Sequence, residues 1–337
     1  MTTKSVALRS GVLDSTLAVK MMIEQGIEIF ALNFTSVFCT CNSGGAHKGG
    51  CKSESKRVAE EFGIPIKVMV KGLDYMEVVR NAKHGYGKGI NPCIDCRIYM
   101  FNIAKEYMKE VGASFIITGE VIGQRPMSQR MDAFRIVEKE TGLADCILRP
   151  LCAKHLPPTI AEQTGLVDRE KLLNVSGRSR KEQMELAEEL DINDYPCPSG
   201  GCLLTEKLFS KKVRDLLNNK KDVSKRDLSL LKTGRHFRHN GTKIIVGRDA
   251  ADNARLKALL EPGDTLVEPV GFAGPLALIP DNGGDGARAF AASLIVRYAS
   301  GKADGGAKLS ATHGGGAVEF EAPLPATEEM IDEARVC

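Results

Sequence analysis

Over its first two hundred positions the chain alternates short runs of consecutive apolar residues with stretches in which apolar residues recur every three or four positions. The runs predict strands at 4–8, 28–33, 66–70 and 114–118. The helical spacing predicts helices at 14–25 and 53–62, closed by Gly26 and Gly63, and a third from about 95 to 111. This order predicts an α/β fold class, a doubly wound parallel sheet with helices on both faces. After Leu204 the rhythm changes. A basic helical stretch at 206–218 leads through the polar NNKKDVSKRD into strands at 243–246 and 266–270 and helices at 250–260 and 287–299. The expected organisation is a domain at 1–205, a basic linker helix at 206–225, and a second, smaller α+β domain at 226–337.

The composition fits folded domains: 43 % of residues are hydrophobic and 26 % charged, which excludes a disordered or collagen-like chain. No apolar run approaches the ~18 residues of a membrane span, and MTTKSVALRS lacks the apolar core of an export signal, so the expectation is a cytoplasmic protein without a membrane partner. Charge is unevenly spread. Residues 207–257 carry 15 basic and 5 acidic side chains, against 26 and 26 before them and 5 and 12 after. A band of this kind suits phosphate contacts, and Lys211, Lys212, Arg214, Arg235, Arg238 and Arg248 are its candidate RNA ligands. The plainer reading is a solvated helix face. With aromatics at 5 % and no Trp, base stacking on an aromatic platform is not signalled.

Between the first predicted strand and helix lies SGVLDST, residues 10–16. Small residues there let backbone N–H groups approach a phosphate, and the positive end of the helix dipole adds attraction. Neither the Lys of a Walker A loop nor a GxGxxG is present. The candidate nucleotide-binding set is Ser10, Gly11, Asp14, Ser15 and Thr16 with Asn33 and Gly119, and Asp14 is expected near a magnesium ion; the plainer reading is a strand-to-helix turn or a decayed site. Ten cysteines in a long chain without an export signal point to metal, cluster or thiol chemistry. NPCIDCR sets Cys93 and Cys96 in a CxxC at a helix start, and YPCPSGGCLLT carries Cys197 and Cys202 in a Pro- and Gly-rich loop. Three of these thiolates could hold a 4Fe-4S cluster with one iron open, while all four could close a structural zinc site. FCTCNSGGAHKGGCKS adds Cys39, Cys41, Cys51 and His47, either a further metal or sulfur-carrying site or a thiol-rich loop. Cys146 and Cys152 are expected to be core thiols, and Cys337 an untethered terminal residue.

The loop SGVLDS resembles the SGGxDS pyrophosphate loop of the PP-loop ATPases, with Val12 where that family usually has its second glycine. A β-branched residue is costly at positive φ and can crowd a phosphate. Together with Cys93 and Cys96, the segments TGEVIGQRPMSQ (118–129), ILRPL (147–151), GLVDRE (165–170), SGRSRKEQ (176–183) and SGGCLLT (199–205) look like the PP-loop tRNA thiouridylases, which include the tRNA 4-thiouridine synthetases and their iron–sulfur-dependent relatives. The resemblance covers nearly all of the first domain. It implies ATP-dependent thiolation of a tRNA uridine, at carbon two or carbon four, through an adenylated base. It also implies Cys202 rather than Cys197 as the third ligand of the cluster, with Asp14, Cys93, Cys96 and Cys202 as the catalytic set. The implied partners are tRNA and a sulfur donor, sulfide or a persulfide carrier. Gln124, Arg125 and Gln129 are either contacts to the substrate or a polar loop leading to a helix. Residues 244–279 are similar to the NFACT-type RNA-binding domain, whose GR(N/D)AxxN segment stands here as Gly247, Arg248, Asp249, Ala250 and Asn253. Two other functions compete: adenylation of a small molecule on the same fold, and an RNA-binding module whose altered loop no longer cleaves ATP.

Overall fold

The computed structural model describes residues 2–40, 50–192, 201–299 and 308–337. Cys41, His47 and Cys197 lie outside the described residues, as does the side chain of Cys51. The chain divides into two compact units, Met1–Thr205 and Glu206–Cys337. No helix among the described residues is long and apolar enough to cross a membrane.

The first unit is built on five parallel strands, β1 (Lys4–Arg9), β2 (Glu28–Thr35), β3 (Ile66–Val70), β4 (Phe115–Thr118) and β5 (Ile147–Leu148), in the order β3-β2-β1-β4-β5. Register runs Lys4↔Glu28 to Arg9↔Asn33 on one side of β1 and Ser5↔Phe115 to Leu8↔Thr118 on the other. Its helices are α1 (Leu13–Glu24), α2 (Gly50–Glu61), α3 (Asp74–Arg80), α4 (Cys93–Val111), α5 (Met131–Thr141), α6 (Ile160–Gln163) and α7 (Lys181–Glu189). Alternation along the central strands feeds two cores. Ala7 and Ile117 pack with Leu13, Leu17 and Met22 of α1, whereas Val6 and Ile116 pack with Phe101 of α4 and Val137 of α5. The chain moves outward from β1 through β2 to β3, then returns to place β4 on the other side of β1. That reversal opens a crevice at the C-terminal ends of β1 and β4, the usual ligand position in such sheets.

The second unit has α8 (Lys207–Asn219), α9 (Lys225–Leu230), α10 (Ala250–Ala258), α11 (Gly284–Tyr298) and α12 (Glu328–Ala334). They accompany β6 (Arg235–His239), β7 (Thr242–Val246), β8 (Thr265–Val270), β9 (Ala277–Ile279), β10 (Lys308–His313) and β11 (Gly316–Glu321). The six strands form an antiparallel sheet ordered β11-β10-β8-β9-β7-β6. Its apolar face, with Phe237, Ile244, Val246 and Val267, packs on Phe290, Ala291 and Leu294 of α11. One expectation needs correction here. Helix α8 is not a linker, because Phe209, Val213 and Leu217 are buried within this unit.

Candidate functional site

The loop leaving β1 is shaped by the division of labour between Gly11 and Val12. Gly11 takes φ +72°, a left-handed conformation that suits glycine. Val12 takes φ −116°, ψ 164°, extended backbone that any residue adopts, and is the N-cap of α1. The expected penalty for a β-branched residue at positive φ therefore does not arise. The Val12 carbonyl accepts from Ser15 Oγ at 2.9 Å and from Thr16 Oγ1 at 3.3 Å, and Ser10 Oγ lies 3.3 Å from Ser15 Oγ. These bonds fold the loop tightly over the first turn of α1.

A cavity of about 130 Å³ opens at the crevice, lined by Arg9, Ser10, Asp14, Ser15, Gly119 and Arg125 among others. Asp14 is buried, with Oδ2 3.7 Å from the Arg180 guanidinium and Oδ1 without a hydrogen-bond partner among the described residues. Burial pushes its carboxyl above the ordinary value, opposed by Arg180 and, less strongly, by Gln124, Arg125 and Gln183. A buried, unpartnered carboxylate oxygen beside a phosphate loop is a fitting donor for a magnesium ion. Gln124 and Gln129 are buried on the same wall, each with one unpartnered amide atom, Nε2 of Gln124 and Oε1 of Gln129. Thr16 and Asn33 are not among the cavity-lining residues. Thr16 Oγ1 accepts from Arg9 Nη2, and Asn33 Nδ2 donates to the Arg9 carbonyl and to Ser55 Oγ, each at 2.8 Å. Both hold the base of the loop.

The cysteines that the sequence sets far apart converge in the first unit. Cys93 and Cys96 occupy the first turn of α4, after Pro92 at its N-cap. The Ile90 N–H donates to the Leu204 carbonyl at 2.9 Å, and the Leu203 N–H to the Phe38 carbonyl at 2.7 Å. Cys39 and Cys202 face each other in an antiparallel bridge. Burial, followed by the charges of Cys96, Cys202 and Cys93, raises the Tyr75 hydroxyl, so three thiols bear on one group. Burial pushes Cys202 up to about 12 and also raises Cys93. Cys96 resists its burial because the Lys71 ammonium, with Nζ 3.0 Å from Sγ, and the Tyr75 hydroxyl hold its thiol below the ordinary value. No three His, Cys, Asp or Glu side chains among the described residues stand at the spacing of a formed metal centre. The donor set is nevertheless right for a soft metal or a cluster: thiols from three chain segments that backbone hydrogen bonds tie together. Cys39, which the sequence groups with Cys41 and Cys51, is the member that spacing did not reveal. Cys152 is a core thiol, donating to the Glu120 carbonyl at 3.3 Å, and Cys146 packs partly buried against the core.

The loop after β4 and the CxxC helix are joined by buried charge. Glu120, at 3 % exposure, pairs with Arg97 and with Arg149, each at 3.2 Å, and Arg149 also reaches Glu138 at 2.7 Å and lies over the Phe134 ring. Arg97 follows Cys96 directly, so one carboxylate anchors α4 to the loop after β4. Glu120→Ala leaves the buried Arg149 short of a partner, and an unfolding free energy lower by about 3–5 kcal/mol is expected in urea titration. Glu120→Gln should cost less.

In the second unit the basic band is mostly engaged with its own neighbours. Lys212 is buried, with Nζ donating to the Leu231 and Gly234 carbonyls at 3.3 and 2.9 Å, so it is not on the surface as an RNA ligand. Burial lowers it to about 8. Arg238 and Lys243 both bond Asp215, and Arg235 donates to the Gly247 carbonyl beneath Tyr298. Lys211, Arg214 and Arg248 are exposed, Arg248 also pairing with Asp252 at 2.6 Å. A cavity of about 630 Å³ lies between α8, α9 and the β6–β7 hairpin, within the second unit.

Comparison with known proteins agrees with this division. "Probable tRNA sulfurtransferase" of Methanobrevibacter smithii (strain ATCC 35061 / DSM 861 / OCM 144 / PS) is 30 % identical over 171 residues, 50 % of this chain and 43 % of that protein. The protein of the same name from Lysinibacillus sphaericus (strain C3-41) is 28 % identical over 167 residues, 48 % and 38 % respectively. "tRNA-specific 2-thiouridylase MnmA" of Wolbachia sp. subsp. Brugia malayi (strain TRS) is 26 % identical over 146 residues, 41 % and 39 %. The chain thus spans about two fifths of the length of these relatives. A crystal structure of a 4-thiouridine synthetase–RNA complex with bound ATP aligns at TM-score 0.38 and 21 % identity, over 68 % of this chain and 52 % of that one. Residues 1–161 match the family model of the thiamine biosynthesis protein (ThiI), and residues 234–334 match that of the NFACT protein RNA binding domain.

Proposed function

We propose that the chain is a tRNA sulfurtransferase that consumes ATP to replace a uridine carbonyl oxygen with sulfur. The observation that carries this reading is the presence, in one unit, of a folded phosphate loop with a buried Asp14 and of converging thiols at Cys93, Cys96 and Cys202, with Arg125 acted on electrostatically by both Asp14 and Cys93. Relatives named sulfurtransferase and thiouridylase, and a second unit matching an RNA-binding model, support tRNA as the substrate.

A uridine carbonyl oxygen is a poor leaving group, so it is activated first. The base oxygen attacks the α-phosphorus of ATP, the new O–P bond forms as the bond to the β-phosphate breaks, and pyrophosphate departs into the loop of Ser10, Gly11 and Ser15. Loop amides and the α1 dipole stabilise the charge that develops there. Asp14 would hold magnesium, and Gln124, Arg125 and Gln129 would orient the base and its phosphates. Hydrosulfide then adds at the activated carbon, a C–S bond replaces the C–O bond, and AMP leaves. Cys93, Cys96 and Cys202 would hold a 4Fe-4S cluster, which when bound supplies an open iron that acidifies and positions sulfide. Zinc on these thiols with Cys39 as a fourth ligand would be a closed structural site instead.

The test is tRNA-dependent conversion of ATP to AMP and pyrophosphate, with thiouridine detected by mass spectrometry of the digested tRNA. Asp14→Asn is expected to lower AMP formation by at least ~100-fold, the scale for losing a transition-state charge contact. tRNA gel shifts should change less than twofold, since Asp14 lies in the first unit. AMP formation driven by a small acid or amine without tRNA would favour the small-molecule adenylase.

A further inference from the structure

Arg9 stands out as a buried charged side chain at the end of a central strand. It is the last residue of β1 and shares its face with Ala7, whose neighbours Leu13, Leu17 and Met22 are all apolar. A Met or Leu would fill such a place. Arg9 is instead 2 % exposed, with Nη2 donating to Thr16 Oγ1 at 2.9 Å and with Nε and Nη1 lacking any hydrogen-bond partner among the described residues. No carboxylate among the described residues forms an ion pair with it. Burial and the neighbouring Arg57 push it down to about 10, with Glu61 acting the other way, and Glu61 is itself bound by Arg57 at 3.2 Å. At neutral pH the group therefore stays cationic, and a buried charge without a partner destabilises the fold that holds it.

We infer that Arg9 is a fixed phosphate-binding charge, completed by the phosphate chain of the nucleotide and not by any protein carboxylate. The inference rests on the reading that the crevice binds ATP. Arg9 lines that crevice directly before Ser10 and Gly11, and the loop contains no lysine. Thr16 Oγ1 holds one end of the guanidinium and leaves the other nitrogens to a ligand. The planar fork suits a phosphate oxygen pair, and its value rises as pyrophosphate gathers negative charge on leaving.

A ligand-directed buried charge and a structural brace predict opposite stability changes. In the full chain, Arg9→Met should raise the unfolding temperature without nucleotide by about 2–4 °C, the shift expected for a modest gain in a unit of this size. It should weaken binding of ATP and of inorganic pyrophosphate by about 10–100-fold, as for loss of charge-assisted hydrogen bonds. Arg9→Lys keeps the charge without the fork and should recover part of that affinity. A lower melting temperature in Arg9→Met with nucleotide affinity within twofold of the parent would make Arg9 a brace and overturn the inference. If Arg9→Met does not fold, Arg9→Lys decides by the same titration: unchanged pyrophosphate affinity rejects a fork-dependent contact, and a loss of several-fold supports it. Failure of the unaltered chain to bind either ligand would instead remove the ATP reading itself, and the inference with it.

Discussion

Gly119→Ala is expected to abolish tRNA-dependent AMP formation, with a fall of at least ~100-fold, the cost of misplacing reacting groups by about an ångström. A Cβ built at Gly119 would stand 2.5 Å from the carbonyl carbon and oxygen of Asp14 and 2.5 Å from the amide nitrogen of Ser15. All three are backbone atoms of the first turn of α1, so no rotamer change relieves the overlap. Either the end of β4 moves away from the loop or the loop moves, and both displace Asp14. Some loss of stability, about 1–3 kcal/mol, should accompany it as in other overpacked cores. Gly26→Ala is the control. Gly26 takes φ +78° with nothing within 4 Å of its Cβ position, so it should lose about 1–2 kcal/mol through backbone strain and keep its ATP chemistry. Urea unfolding and AMP release, measured on both variants, separate the two effects. Full activity in Gly119→Ala would mean that the close approach of β4 to the loop is not needed.

The parallel sheet was legible because strands buried on both faces read as continuous apolar runs, and the predicted segments agree with the observed ones to within a few residues. β5 escaped because it is two residues long, and β6 because Arg235, His236 and Arg238 give it a polar sequence. There the arginines lie against Tyr298 and Asp215, and His236 bonds backbone carbonyls in the interior. A charge count along the chain could not foresee this, since it cannot tell a solvated lysine from Lys212, whose ammonium is spent on two carbonyls. The same limit hid Arg9: by composition it is one more basic residue, and only burial without an ion-pair partner among the described residues sets it apart. Val12 shows the reverse error. The motif invites a positive φ at that position, but the chain gives the left-handed turn to Gly11 and leaves Val12 extended. Cys39 was hidden by distance along the chain, since the bridge to Cys202 and the backbone hydrogen bonds Leu203–Phe38 and Thr40–Gly201 bring it to the thiol group.

Replacing Cys93, Cys96 or Cys202 singly by Ala is expected to remove the brown absorbance of a 4Fe-4S cluster and tRNA thiolation together, while ATP binding persists. On the proposed three-thiolate set each substitution deletes one donor, and a cluster tolerates such a loss poorly. Stability should fall by less than when a core Leu is truncated, about 1–2 kcal/mol, because these thiols are only partly buried. Cys39→Ser decides the number of ligands. Cys39 lies opposite Cys202 in the bridge, which makes it the candidate for a fourth donor, yet a three-ligand cluster needs its fourth corner free for sulfide. Retained absorbance and thiolation in Cys39→Ser support three ligands and an open iron. Loss of both with Cys39→Ser, or zinc in place of iron on metal analysis of the unaltered protein, would mean a closed four-thiolate site. The sulfur would then have to be delivered by another route, because a metal with all four positions filled by protein has no place to hold it.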